Sequence, residues 1–222
     1  MQRKVASRRE RPAKSPLSRA AVVKAALGIL KKEGLEKVTM RRIAAALETG
    51  PASLYVYVRD TRDLHAQLLD ALAVDLPAPK PGPSWRADLV HVVEAFLAVL
   101  MRYPEIARLA MGPLGTTFGP GSLRLLDTVA GLLLEGGASA RTASWGVDLV
   151  LAYAVSTAVE QAARDEGGED NLDSMRQLVD SLDPSVHPHL AKLGPELISG
   201  EGLERFRWGL NALIDGILRS AG

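Results

Sequence analysis

Val38–Leu69 reads VTMRRIAAALETGPASLYVYVRDTRDLHAQLL, and its reading decides the fold. Thr39 has the hydroxyl of a helix N-cap, and Ile43, Ala44 and Leu47 follow at the spacing of a buried helix face. Glu48-Thr49-Gly50-Pro51 breaks that pattern. Pro51 suits the first turn of a new helix, where its missing N–H costs nothing; Leu54, Tyr55 and Val58 are expected to pack that helix inward. Asp60 or Thr61 caps a further helix from Arg62 to about Leu76, with Leu64, Leu68, Leu72 and Leu76 on one side. A short helix, a sharp turn and a second short helix set a helix end into the DNA major groove.

The charge agrees with a polyanion partner at this end. Residues 1–65 hold 15 Lys/Arg against 6 Asp/Glu, while residues 66–222 hold 12 against 20. A solvated basic tail without a partner would show the same charge, but not the helical pattern behind it. There are no cysteines, which excludes disulfides, thiol catalysis and thiolate metal sites. The basic N-terminus lacks the apolar stretch of a signal peptide. The longest apolar run, Leu149 to Val159, is much shorter than the ~20 residues that span a bilayer. The expectation is a soluble cytoplasmic protein with no membrane partner.

Outward from the central stretch, residues 1–17 read as a basic flexible arm, carrying Arg3, Lys4, Arg8, Arg9, Arg11 and Lys14. Ser18 caps a helix with Val23, Leu27 and Leu30 at helical spacing, which Gly34 ends. Residues 18–61 form the first domain and 62–76 a linking helix. Pro77 to Pro83 (PAPKPGP) is a boundary that forbids helix. Residues 84–222 form the second domain, with helices from Ser84 to about Arg102, Pro104 to Ala110, Ser122 to Glu135, Ala140 to Asp165 and Glu201 to Ser220. A Gly/Pro loop from Gly112 to Gly121, an acidic loop over 166–173 and short pieces broken at Pro184, Pro188 and Pro195 separate them. The fold class is all-α: an N-terminal three-helix helix-turn-helix domain and a helical second domain.

At GLEKVTMRRIAAAL, the six-residue gap, SLYVYV and the Asp-x-x-Asp-Leu opening of the next helix, the chain resembles the tetracycline-repressor (TetR-type) family of bacterial regulators. The resemblance is close over about residues 18–69 and looser beyond. It implies a homodimer that holds a palindromic double-stranded DNA operator and is released by a small-molecule effector bound in the body. The expected DNA contacts are Thr39, Arg41, Arg42, Thr49, Gly50, Pro51, Ala52, Ser53, Tyr55, Val56, Tyr57, Thr61 and Arg62. Thr39 sits at a helix N-terminus, where hydroxyl and free amides bind phosphate. Arg41 matches a position from which some members contact guanine, an edge that suits an arginine fork. Gly50, Pro51, Ala52 and Ser53 are small enough for close approach, and Val56 can touch a thymine methyl. Tyr55 is assigned more to packing and Tyr57 more to DNA. The chain departs from the family in having Glu48 where Gly is usual, Gly50 where a serine cap is frequent, so that Thr49 caps instead, and Thr61 where lysine is common, with Arg59 or Arg62 substituting.

In the body, the final helix repeats Phe206, Leu210, Leu213, Ile214 and Ile217, and the helix from Ala140 carries Gly146 and Ala154, small enough for close helix approach. These faces are candidates for the dimer interface; equally they complete a monomer core. Candidate ligand contacts are Trp85, His91, Phe96, Met101, Met111, Phe118, Trp145, Leu149 and Tyr153, since aromatics and methionines suit adaptable apolar sites and also fill ordinary cores. His187-Pro188-His189 lacks a further ligand and reads as a loop rather than a metal site, and GPLGTTFGPG follows no strand, so it is a weak phosphate cradle. No catalytic residue, metal or cofactor is assigned. Two other readings stay open: a ligand-independent DNA-binding or interaction module, and a helical-bundle enzyme, against which the chain has no Glu-x-x-His, nucleophile elbow or Walker motif.

Overall fold

The computed structural model describes residues 16–79, 84–111 and 119–220, and only the backbone of 168–172. The cationic residues of the arm, residues 80–83 of the proline-rich boundary and 112–118 of the Gly/Pro loop, with the candidate Phe118, lie outside the described residues. Helices account for every regular element among the described residues, with no strand. The chain divides into two compact units, Met1–Asp60 and Thr61–Gly222.

The first unit contains α1 (Arg19–Glu33), α2 (Met40–Ala46) and α3 (Pro51–Leu54). Ser18 caps α1 by accepting the Ala21 N–H at 3.2 Å. The buried stripe of α1 is Val22, Ala26, Ile29 and Leu30, whereas Val23 and Leu27 are half-buried, so the helix is rotated from the face expected of it. Gly34 ends α1 with φ +85°, in the region closed to most L side chains. Ile43 and Ala44 of α2, Leu54 of α3 and Val58 complete a small core with Val38.

The second unit contains α4 (Thr61–Val74), α5 (Trp85–Arg102), α6 (Pro104–Ala110), α7 (Pro120–Glu135), α8 (Ala140–Asp180), α9 (Pro188–Leu193) and α10 (Gly202–Arg219). α5 lies at its centre, against α6, α7, α8 and α10, and α4 packs on α7. Leu89, Val93, Leu100, Leu133, Phe206 and Ile214 are among the side chains that fill this core.

Three expectations need correction. α7 begins at Pro120 rather than Ser122, because proline is well suited to a first helical turn. More important, α8 does not end at Asp165: it runs through the acidic stretch to Asp180, 41 residues in all. Gly167 and Gly168 each cost about 1 kcal/mol relative to alanine in a helix, a penalty too small to stop one already formed on both sides. The ion pairs Arg164–Glu160 and Arg176–Asp173 support the turns that flank them. Pro188 likewise starts α9 instead of merely breaking a helix, and Pro195 sits in a short 3₁₀ turn. Ala140–Gly167 of α8 is long and apolar enough to cross a bilayer by composition, but Ala143, Val147, Val150, Ala154 and Ala158 face the protein's own core.

Candidate nucleic-acid interface and the cavities of the body

Thr39 accepts the Arg42 N–H at 3.1 Å and so closes the start of α2. At the other end of α2 the chain turns by two crossing backbone bonds, Glu48 N–H to the Ala45 carbonyl at 3.2 Å and Thr49 N–H to the Ala44 carbonyl at 2.9 Å. This is a Schellman turn, whose left-handed residue is usually glycine. Here Glu48 takes that place, with φ +49°. Gly50 is the N-cap of α3 in an ordinary extended conformation, and no side chain caps the helix, so the expected Thr49 cap does not form.

α3 is a single turn followed by a tight turn through Tyr57, shorter than its apolar pattern implied. Leu54 and Val58 anchor it, both fully buried. That leaves Pro51, Ala52, Ser53, Tyr55 and Val56 exposed, with Val56 81% accessible. The tyrosine assignment is reversed. Tyr57 is half-buried and its hydroxyl donates to the Leu17 carbonyl at 2.7 Å, while Tyr55 is 55% exposed. The positions i and i+4 of a turn anchored at Leu54 and Val58 leave Tyr55 on the outside, so Tyr57 packs and Tyr55 faces solvent.

The two arginines of α2 also differ. Arg42 forms a two-point pair with Glu33, NH2 to Oε1 at 2.6 Å and Nε to Oε2 at 3.3 Å. The Arg42 guanidinium holds the Glu33 carboxyl below the usual carboxylate range. Arg41 is exposed and makes no such pair among the described residues. Thr61 and Arg62 are both exposed at the start of α4.

In the body the eight described candidate ligand contacts do not gather at one site. Phe96 is core. Tyr153 stacks on Phe206 with centroids 5.1 Å apart. Trp85 lies half-buried under the Arg86 guanidinium, and Met111 is exposed. Trp145 and Leu149, 68% and 46% accessible, stand on the outer face of α8 and line a groove of about 640 Å³ with Leu213 and Gly216 of α10. His91 and Met101 share a separate cleft, about 510 Å³ between α5, α8 and the start of α10. The pairing of Glu94 in that cleft with Arg207 was not anticipated, because its partner lies 113 residues away. A third cleft, about 810 Å³, lies beside it between α8 and the Leu193–Arg205 segment.

The dimer candidates divide. Ala154, Phe206, Leu210 and Ile214 are buried in the protomer's own core, which corrects their assignment, whereas Gly146, Leu213 and Ile217 line the groove between α8 and α10. Beside the buried stripe, an open face of α10 exposes Trp208 and Ala212, with Trp208 77% accessible, and Gly216 one turn on is half-buried. An aromatic residue out of phase with the Phe206–Leu210–Ile214 stripe was the signal that could have marked it.

Residues 22–68 match the family model described as bacterial regulatory proteins, tetR family, and residues 78–220 match the tetracyclin repressor-like C-terminal domain. The HTH-type transcriptional repressor DrrR1 of Streptomyces coeruleorubidus is 29% identical over 222 residues, spanning 93% of this chain and 80% of that protein. Among solved structures, a putative transcription regulator SCO7704 from Streptomyces is 40% identical, with a TM-score of 0.75 over 93% of this chain and 96% of that one. ActR of Streptomyces coelicolor, solved in complex with actinorhodin, is 31% identical with a TM-score of 0.78 over 94% and 100%. The all-α architecture, the exposed α2–α3 surface and these matches agree: the chain belongs to the tetR family of bacterial regulatory proteins, DNA-binding regulators of transcription.

Proposed function

We propose that this protein is a ligand-responsive transcriptional repressor that binds a palindromic operator as a homodimer and releases it on binding a small molecule. One observation carries the DNA-binding part. Leu54 and Val58 fasten a short helix from beneath while Ser53, Tyr55, Val56 and Arg41, which has no ion pair among the described residues, stay exposed on the same unit. Small residues at a helix end permit approach to base edges, and an unpaired guanidinium suits the guanine edge. Arg42 acts through its pair with Glu33, as a positioning residue rather than a base reader.

The second copy docks on the outer face of α8 and α10, where Trp145, Leu149, Leu213, Ala212 and Gly216 line an apolar groove that has small residues in it, and Trp208 stands exposed one turn before Ala212. The arrangement of two helices per protomer gives a four-helix interface. An effector in the body shifts α4, which follows the head in sequence, and alters the spacing of the two heads. The coupling is reciprocal, so operator DNA weakens effector binding by the same factor. ActR, which binds actinorhodin, supports an effector in this fold. The protein acts by binding, without a catalytic step, in the cytoplasm.

The test is selection of the purified protein on random or source-genome DNA at near-physiological salt. An enriched palindrome is expected. Bulk, salt-sensitive binding without enrichment would overturn the sequence-specific reading.

A further inference from the structure

The cleft between α5, α8 and the start of α10 has a chemistry of its own. Residues 91, 94, 95, 98 and 101 share one face of α5. Ala95 and Ala98 leave its floor open, and Met101 and Leu203, each close to half exposed, make apolar walls. Met101 adapts its shape readily. Thr157 and Gln161 close the α8 side. The volume, about 510 Å³, falls within the range that encloses a drug-sized molecule.

Charge narrows the occupant. The lining holds two carboxylates, Glu94 and Glu201, and the imidazole of His91, but no lysine or arginine. Glu94 is held in place by Arg207 from α10, NH2 to Oε2 at 3.1 Å, with only 17% of its side chain exposed. Glu201, the N-cap of α10, makes no side-chain bond among the described residues. An anion would enter an apolar cleft already rimmed by negative charge, whereas a cation finds one free carboxylate and a second offset by a single arginine. We infer that this cleft binds a lipophilic organic cation: an apolar, ring-bearing body seated against Ala98, Met101 and Leu203, its positive charge toward Glu94 and Glu201. The inference rests on the ligand-responsive reading only for its consequence at the operator, not for binding itself.

Tetraphenylphosphonium and tetraphenylborate, equal in shape and opposite in charge, test it by calorimetric titration of the full chain without DNA. The phosphonium is expected to bind at least about tenfold more tightly than the borate. Glu201→Gln should weaken the phosphonium about threefold, the size of an exposed charge pair. Arg207→Gln should tighten it by releasing Glu94, an effect opposite to that of a merely structural loss. Ala98→Trp, at an exposed position, should fill the cleft and abolish binding at unchanged circular dichroism; Met101→Lys should reverse the preference toward the borate. Equal or tighter binding of the borate to the wild type, or phosphonium binding that survives Ala98→Trp, overturns the assignment. Release of the enriched operator by phosphonium is read separately: binding without release leaves the cleft assigned and counts against the ligand-responsive reading.

Discussion

Two glycines of α7 should respond oppositely to alanine, and the difference measures how closely α4 and α7 are joined. A Cβ on Gly121 would stand 2.1 Å from the Asp70 carbonyl oxygen and 2.9 Å from the Val74 nitrogen, both backbone atoms of α4. Backbone cannot swing aside as a side-chain tip can, so the helices must separate. Overpacking of this kind costs about 2–3 kcal/mol. Separation also strains the bonds around the contact. The Ser122 N–H donates to Asp70 Oδ1 at 2.8 Å, so an acid on α4 caps α7, whose own N-cap Gly119 has no side chain. Arg124 of α7 reaches back to the carbonyls of Ala73 and Val74 in the last turn of α4 and of Leu76 just beyond it. Losing the cap alone is worth about 1 kcal/mol.

Gly131 lies in the same helix with nothing within 4 Å of an added Cβ. There alanine should stabilise by about 0.5–1 kcal/mol through helix propensity. Urea denaturation of both variants at constant m gives the difference, expected to total about 2.5–4 kcal/mol. If Gly121→Ala unfolds within about 0.5 kcal/mol of the wild type, a difference usual for neutral surface changes, the close approach of α4 and α7 is wrong. Independent addition of Asp70→Ala and Arg124→Ala would refute the close approach as well. Contacts that hold one interface should be sub-additive by at least about 0.5 kcal/mol.

Tyr57→Phe should cost about 1 kcal/mol of stability by removing the bond to Leu17, and leave operator affinity little changed. Tyr55→Phe should do the reverse; equal effects in denaturation and gel-shift assays would return the two tyrosines to their sequence-based roles. Glu48→Gly should stabilise by about 0.5–1 kcal/mol, because glycine takes a φ of +49° without penalty, and should tighten DNA binding by removing a negative charge beside α3. A loss on both counts would show that the Glu48 side chain is needed where it stands. Burial holds His65 below the ordinary histidine value of 6.5. The unfolded chain therefore takes up the proton first, so the stability it contributes is complete above pH 6.5 and is lost as pH falls below it. His65→Gln should flatten the urea midpoint between pH 7.5 and 5.5, and an unchanged slope would assign that dependence elsewhere.

The head was legible because its signals are local. Ser18, Thr39 and Pro51 each fix a helix start within one turn, and Gly34 fixes an end. Its errors concern orientation. Tyr55 and Tyr57 are two residues apart, and in a single helical turn that places them on different faces, which periodicity over so short a segment does not resolve. The extent of α8 was not legible because the penalty of two glycines has to be weighed against helix on both sides of them, and that weight is set by packing rather than by the stretch itself. The cleft was only half legible: His91, Glu94 and Met101 share a helix face visible in the sequence, but Thr157, Gln161 and Leu203 reach it through the tertiary fold.

The final helix shows where pattern reading stops for a physical reason. Phe206, Leu210, Ile214 and Ile217 repeat at the spacing of a buried stripe, and they are buried. Periodicity reports that a face leaves water; it is silent on whether the cover is the same chain or another copy. Here the protomer's own core takes Phe206, Leu210 and Ile214, while Ile217 at the end of the stripe also borders the groove between α8 and α10. A second copy would then be met mainly by residues beside that stripe. Trp208, Ala212 and Gly216 meet that condition on α10, and Trp145 and Leu149 meet it on α8. Large exposed aromatics flanking small residues form a surface that water covers poorly and that a matching helix pair covers well. Trp145→Glu and Trp208→Glu should therefore break the dimer while sparing the fold, whereas Leu210→Glu should unfold the protomer. A Leu210 variant that sedimented as a folded monomer would return the buried stripe to the interface.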